Sequence, residues 1–207
     1  MTSSMKGHRQ SAIKAGVESL SRRLLTRLAL ILLLFIAAGA ASAECRLSIS
    51  NPEIDYGALY RGELLAQGRS PMLALNRRDL TLTAICDTVT PLALRFLGDA
   101  AGPNSYRFAA NGNFTIRLRN ATVDGNRIEL AQTAGTGGAL SSPSASVLLT
   151  PGSAVSPVAL GQAASGKVFT AQIEFDTCID EPATRVRDVT ILEGGGVFEL
   201  VRADGKP

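Results

Sequence analysis

Three cysteines, Cys45, Cys86 and Cys178, carry most of the reactive chemistry available to this 207-residue chain. A thiol can attack as a nucleophile beside an imidazole, hold zinc beside a close second ligand, or close a disulfide. The only histidine is His8, in an N-terminal leader, so the rest of the chain has no Ser-His-Asp triad and no Cys-His pair. The cysteines are too far apart for the short spacings of structural zinc sites. Asp176, Asp180 and Glu181 cluster around Cys178 but lack the ordered oxygen ligands and glycine turn of a calcium loop. They read as a solvated loop leaving a strand, with calcium as the alternative. A hydrolase working through carboxylates alone needs a positioned pair, and none is recognisable. Arg117 and Arg119 read as the solvated face of a half-buried strand in preference to an anion site. The run Gly135 to Gly138 has neither the lysine nor the strand and helix context of a phosphate cradle. Asn113 and Asn120 each open an Asn-X-Thr pattern, which matters only in a eukaryotic secretory route. The expectation is a protein that is not an enzyme and that uses no cofactor and no metal.

The leader sets both the charge and the compartment. Residues 1–43 hold six Lys or Arg against Glu18, which leaves 15 basic and 17 acidic residues, a net of −2, in the other 164. The formal charge of +3 for the whole chain therefore argues for no nucleic-acid partner. A basic stretch ends at Arg27, an apolar run covers Leu28 to Ala38, and Ala41, Ser42 and Ala43 supply small residues before Glu44. This is the pattern of a signal peptide, cleaved after residue 43. Its apolar run is short of the roughly 20 residues of a spanning helix, and no later run is longer, so no membrane span is expected after cleavage. The remainder, 44–207, is expected to be a single domain. Export to an oxidising compartment favours a disulfide. Cys45 with Cys86 is the preferred bridge, since both lie in alternating stretches of the N-terminal half, and Cys178 is left as a buried thiol or an intermolecular link.

Strand patterns dominate the elements that must hold these residues. Leu47 and Ile49 alternate with Arg46 and Ser48, and Ile54, Tyr56 and Ala58 start a second alternating stretch. Leu80, Leu82, Ala84 and Cys86 share one face opposite Thr81, Thr83 and Ile85, and Leu92, Leu94 and Phe96 repeat the pattern after Pro91. Ile116 and Leu118, the dipeptide Asp124-Gly125, and Ile128 and Leu130 read as a hairpin. Residues 131–166, rich in Ala, Gly, Ser, Thr and Pro, read as flexible surface with edge strands at most at 147–149 and 158–160. Phe169, Ala171, Ile173 and Phe175 alternate again, and Gly194 to Gly196 separate 189–192 from a last strand at 197–201. The class is all-β, a sandwich.

The order of a signal peptide, Cys45 at the new N-terminus, the block Asn51, Pro52, Ile54, Asp55, Tyr56, Gly57 and Leu59, a strand ending in Cys86 and an apolar C-terminal strand resembles chaperone–usher fimbrial subunits. Within that superfamily it is most similar to a poorly characterised fimbrial-like family of secreted bacterial proteins. The resemblance spans about Cys45 to Leu200. It implies an incomplete, immunoglobulin-like, pilin-type sandwich lacking its last strand, with Cys45 bonded to Cys86. Phe198 and Leu200 would border the groove left open for a partner strand. It also implies a periplasmic chaperone, an outer-membrane usher and other fimbrial subunits as partners, with a periplasmic and then cell-surface location.

Two functions follow as expectations. The first is a structural or accessory fimbrial subunit, completed by a strand from another chain and poorly behaved without one. The alternative is a tip-located adhesin for a host glycan or protein, using residues 131–166 with Tyr106 and Phe108 as stacking residues. Those two aromatics read more readily as core packing. Subunits that polymerise by strand donation carry an alternating extension ahead of their first cysteine. Cleavage after residue 43 would leave only Glu44 there, so this chain is expected to accept a strand and not to donate one.

Overall fold

Ala84 and Cys86 are 0% and 3% exposed, while Ile85 between them is 55% exposed, as expected for a strand with one face in a core. In the computed structural model, which describes residues 44–66, 71–134 and 138–203, alternation of this kind builds an all-β protein. The expected leader with its expected cleavage site, His8 and residues 135–137 of the glycine run lie outside the described residues. No helix among the described residues is long and apolar enough to cross a membrane.

The strands are β1 (Cys45–Ile49), β2 (Met72–Ala74), β3 (Arg78–Leu97), β4 (Ala100–Gly102), β5 (Ser105–Phe108) and β6 (Gly112–Val123). They continue with β7 (Asn126–Arg127), β8 (Glu129–Ala134), β9 (Ser146–Leu149), β10 (Ser153–Ala159), β11 (Gln162–Ala163), β12 (Ser165–Asp180) and β13 (Val197–Arg202). One helical turn and a half, α1 (Arg61–Ala66), lies between β1 and β2. Every pairing is antiparallel. The path β11-β10-β3-β12-β6-β5-β4 forms one curled sheet whose halves face each other across a single core.

The curl is made by β3. Up to Pro91 it pairs with β12, and beyond that it pairs with β10 and β13. The strand therefore runs through Pro91 without a break. Pro91 sits at the last pair with β12, where the ladder changes partners and a missing N–H disturbs it least. Leu92, Leu94 and Phe96 keep the phase of Leu80 to Cys86, so one strand lines the core of both halves.

The expected hairpin forms only in part. Asp124 and Gly125 both have positive φ, 48° and 81°, the geometry of a tight hairpin turn that asparagine, aspartate and glycine tolerate. The Asp124 carboxylate accepts hydrogen bonds from the Lys167 and Val168 amides, at 3.0 and 2.8 Å, tying the turn to β12. The return strand β7 holds two pairs, and the chain then crosses to pair β8 with β10. A bulge at Asn120, φ 52°, shifts the phase of β6 so that Ile116 and Leu118, then Ala121 and Val123, all point inward.

The described residues of 131–166 are not a flexible surface. β8, β9 and β10 fill much of the segment, and Ser153 to Val158 are all buried. A strand covered on both faces shows no alternation, and small residues such as Ala154 and Ser156 hide its apolar role. The Ile54–Ala58 stretch and residues 189–192 do not form strands either; both run as unpaired chain.

Candidate functional site: a cleft between two free strand edges

Strands β1 and β13 flank the same edge of β3. Cys45–Ile49 pairs with Leu82–Cys86, and Val197–Arg202 pairs with Leu92–Leu97. Among the described residues neither has a second partner strand, so each keeps an edge of unused backbone groups. A Cys45–Cys86 disulfide joins a register pair of the first ladder. Cys178 is free and half-buried on β12, and burial, then the Asp176 charge, pushes its thiol pKa up and away from a reactive thiolate.

Between the two edges lies a cleft of about 1510 Å³. One wall is Leu47–Ile49 with the chain from Pro52 to Arg61; the other runs from Ala183 to Phe198. The floor is apolar, made by Leu80, Phe96, Phe108, Phe114, Phe175 and Ile179. Its aromatic rings interlock. Phe96 meets Tyr106 at 4.8 Å, Phe114 at 5.9 Å and Phe198 at 4.8 Å, and Phe175 meets Phe198 at 6.4 Å, all edge to face.

Of the two groove residues expected from the sequence, Phe198 lines the cleft. Leu200 lies two residues further on, opposite Leu94, half-buried against the core and outside the cleft lining. Tyr56 is a lining residue that alternation alone did not single out. Its ring packs on Phe108 at 6.1 Å, its hydroxyl shares a 2.7 Å hydrogen bond with Thr177 Oγ1, and the Arg78 guanidinium lies 5.3 Å over it. Gly57, φ 70°, donates its amide N–H to the Asp55 carboxylate at 2.7 Å, which turns the wall after the tyrosine.

The second wall is unladdered and mixes exposed apolar residues with charged ones. Among the described residues no backbone hydrogen bond ties 186–192 to a neighbouring strand, and Val189 and Ile191 are 99% and 79% exposed. The wall is anchored at its end, where the Glu193 carbonyl accepts the Ala109 amide at 2.7 Å and Gly194 bridges to Phe108. Gly196 explains part of the glycine triplet. A methyl there would collide with the Leu97 carbonyl oxygen and the Phe96 ring, so the chain reaches β13 only by passing close over that ring.

The other candidate residues are occupied elsewhere. Glu174, 7% exposed, faces Arg77 and Arg119 at 3.4 Å and Arg117 at 3.9 Å, while Arg119 also holds Asp79 at 2.9 Å. Arg117 and Arg119 are thus committed to carboxylates on the outer face. Asp176 pairs with Arg77 at 2.7 Å, and Glu181 pairs with Arg61 and Arg185. The Arg185 and Arg61 guanidiniums hold the Glu181 carboxyl below the usual range.

Tyr106 and Phe108, the stacking residues of the adhesin alternative, are 0% and 8% exposed and belong to the core. The Tyr106 hydroxyl has no hydrogen-bond partner among the described residues, and burial pushes its pKa up to about 12. The fold favours the neutral phenol. Stability should be unaffected below pH 10, where the unfolded phenol is also neutral, and should fall as pH rises from 10 towards 12. In a titration followed at 295 nm, one phenolate is expected to appear about two pH units above the ordinary value. That step should vanish in Tyr106→Phe; its persistence would refute the assignment.

No protein-family model matches this chain, and no curated protein sequence matches it. Among solved structures, the P pilus rod subunit PapA is similar over 76% of this chain and 98% of its own, at 12% identity and a TM-score of 0.41.

Proposed function

We propose that this chain is a structural or accessory subunit of a bacterial surface fibre, completed by an extended strand that another protein lays into the cleft. The open cleft between the free edges of β1 and β13, with its aromatic floor, carries this reading. A sheet with two free edges over apolar surface invites uncontrolled pairing. An inserted strand removes that hazard, since its backbone pairs with the walls and its alternate side chains fill the floor. Such a subunit works by assembly and needs no catalytic group. On this reading residues 1–43 direct export and are removed. A periplasmic chaperone covers the cleft until an outer-membrane usher passes the subunit to its neighbours at the cell surface, where the fibre serves adhesion.

The test is complementation of the purified chain by an eight-residue peptide with apolar residues at alternate positions. At a hundredfold excess over Kd, binding is worth about 2.7 kcal/mol and should raise the melting temperature by about 5–10 °C. Amides of 186–192 should gain protection from hydrogen exchange. A peptide of the same composition with its apolar residues in one block serves as control. Equal effects of the two peptides, or none from either, would remove the proposal.

A further inference from the structure

The rim of the cleft is acidic, and this bears on which strand it takes. Among the charged residues that line it, Glu53, Asp55, Asp188 and Glu193 are exposed and in no ion pair among the described residues. Arg61 also lines it but is committed to Glu181, which leaves Arg187 as the only lining guanidinium without a carboxylate partner among the described residues. The carboxylates are on both walls. Tyr56, next to Asp55, packs on Phe108 at 6.1 Å, and the Phe108 backbone bridges to Gly194, next to Glu193. Asp55 and Glu193, on opposite walls, are therefore each one residue from a group that touches Phe108.

An extended strand in this cleft turns every second side chain to the floor and the others outward between the walls. The floor asks only for apolar residues, so it discriminates poorly among alternating strands. The rim meets the outward residues. We infer that the cleft selects an extended strand whose outward positions carry Lys or Arg, and disfavours one that carries Asp or Glu there. Long basic side chains reach exposed carboxylates while their stems lie along Val189 and Ile191, the apolar part of the wall. This inference rests on the strand-accepting reading above and deepens it by naming the partner's charge.

Three fluorescent eight-residue peptides with identical inward residues and outward Lys, Ser or Glu, titrated onto the full chain by polarisation, provide the test. The Lys peptide is expected to bind about fivefold tighter than the Ser peptide, with the Glu peptide weakest, because exposed pairs each contribute modestly and add over two or three positions. The differences should shrink in 0.5 M salt, where screening is short-ranged. They should also shrink in E53Q/E193Q, whose substitutions lie on exposed residues and should leave the melting temperature unchanged. Equal affinity of all three peptides at low salt overturns the charge selection and leaves strand docking standing. Binding by none of them overturns both.

Discussion

Phe96→Ala is expected to destabilise the protein by about 3–5 kcal/mol, the usual range for removing a buried phenylalanine. Phe96 is 6% exposed and is the ring shared by Tyr106, Phe114 and Phe198. It also lies under Gly196, so its loss removes both the floor of the cleft and the surface on which β13 begins. Urea denaturation measures the first effect, and faster amide exchange in 197–202 measures the second. Phe198→Ala, at a half-buried ring on the edge strand, should cost less and leave the fold intact. A loss under about 1 kcal/mol for Phe96→Ala would mean that the floor can collapse around the gap, against the packing described here.

Removing the Cys45–Cys86 bridge is expected to have a comparable effect through different physics. The bond closes a loop with a sequence separation of 41, and the chain-entropy model assigns that closure about 4 kcal/mol. In C45S/C86S the urea midpoint should fall by about 2 M for a slope near 2 kcal/mol/M. The loss should be local as well as global. β1 has only β3 beside it among the described residues, so without the bond its five residues are free to fray and the cleft loses its first wall. If full reduction, verified by mass, leaves the midpoint unchanged, the bridge is dispensable and the first wall is held by the β1–β3 ladder alone.

Much of this molecule was legible in its residue order because the relevant physics is local. The alternations in Leu80–Cys86 and Phe169–Phe175 identified two central strands and their inward faces, since a strand with one wet face must repeat every second residue. Cysteine positions and the expectation of export pointed to the Cys45–Cys86 pair, and Asp124-Gly125 to its turn. Tertiary structure decided the rest. β10 was hidden because burial on both faces erases alternation, and the continuity of β3 through Pro91 depended on where its neighbours change. The cleft was the least legible feature. Tyr56, Phe96, Phe108, Phe175 and Phe198 come from separate stretches, and only the curl of the sheet brings them to one cleft. Its walls, 52–60 and 186–192, carry alternating or apolar residues that imitate strands, yet no neighbouring strand pairs with them among the described residues. Side-chain pattern reports which faces avoid water; whether a backbone edge is paired is set by what the remainder of the fold places beside it.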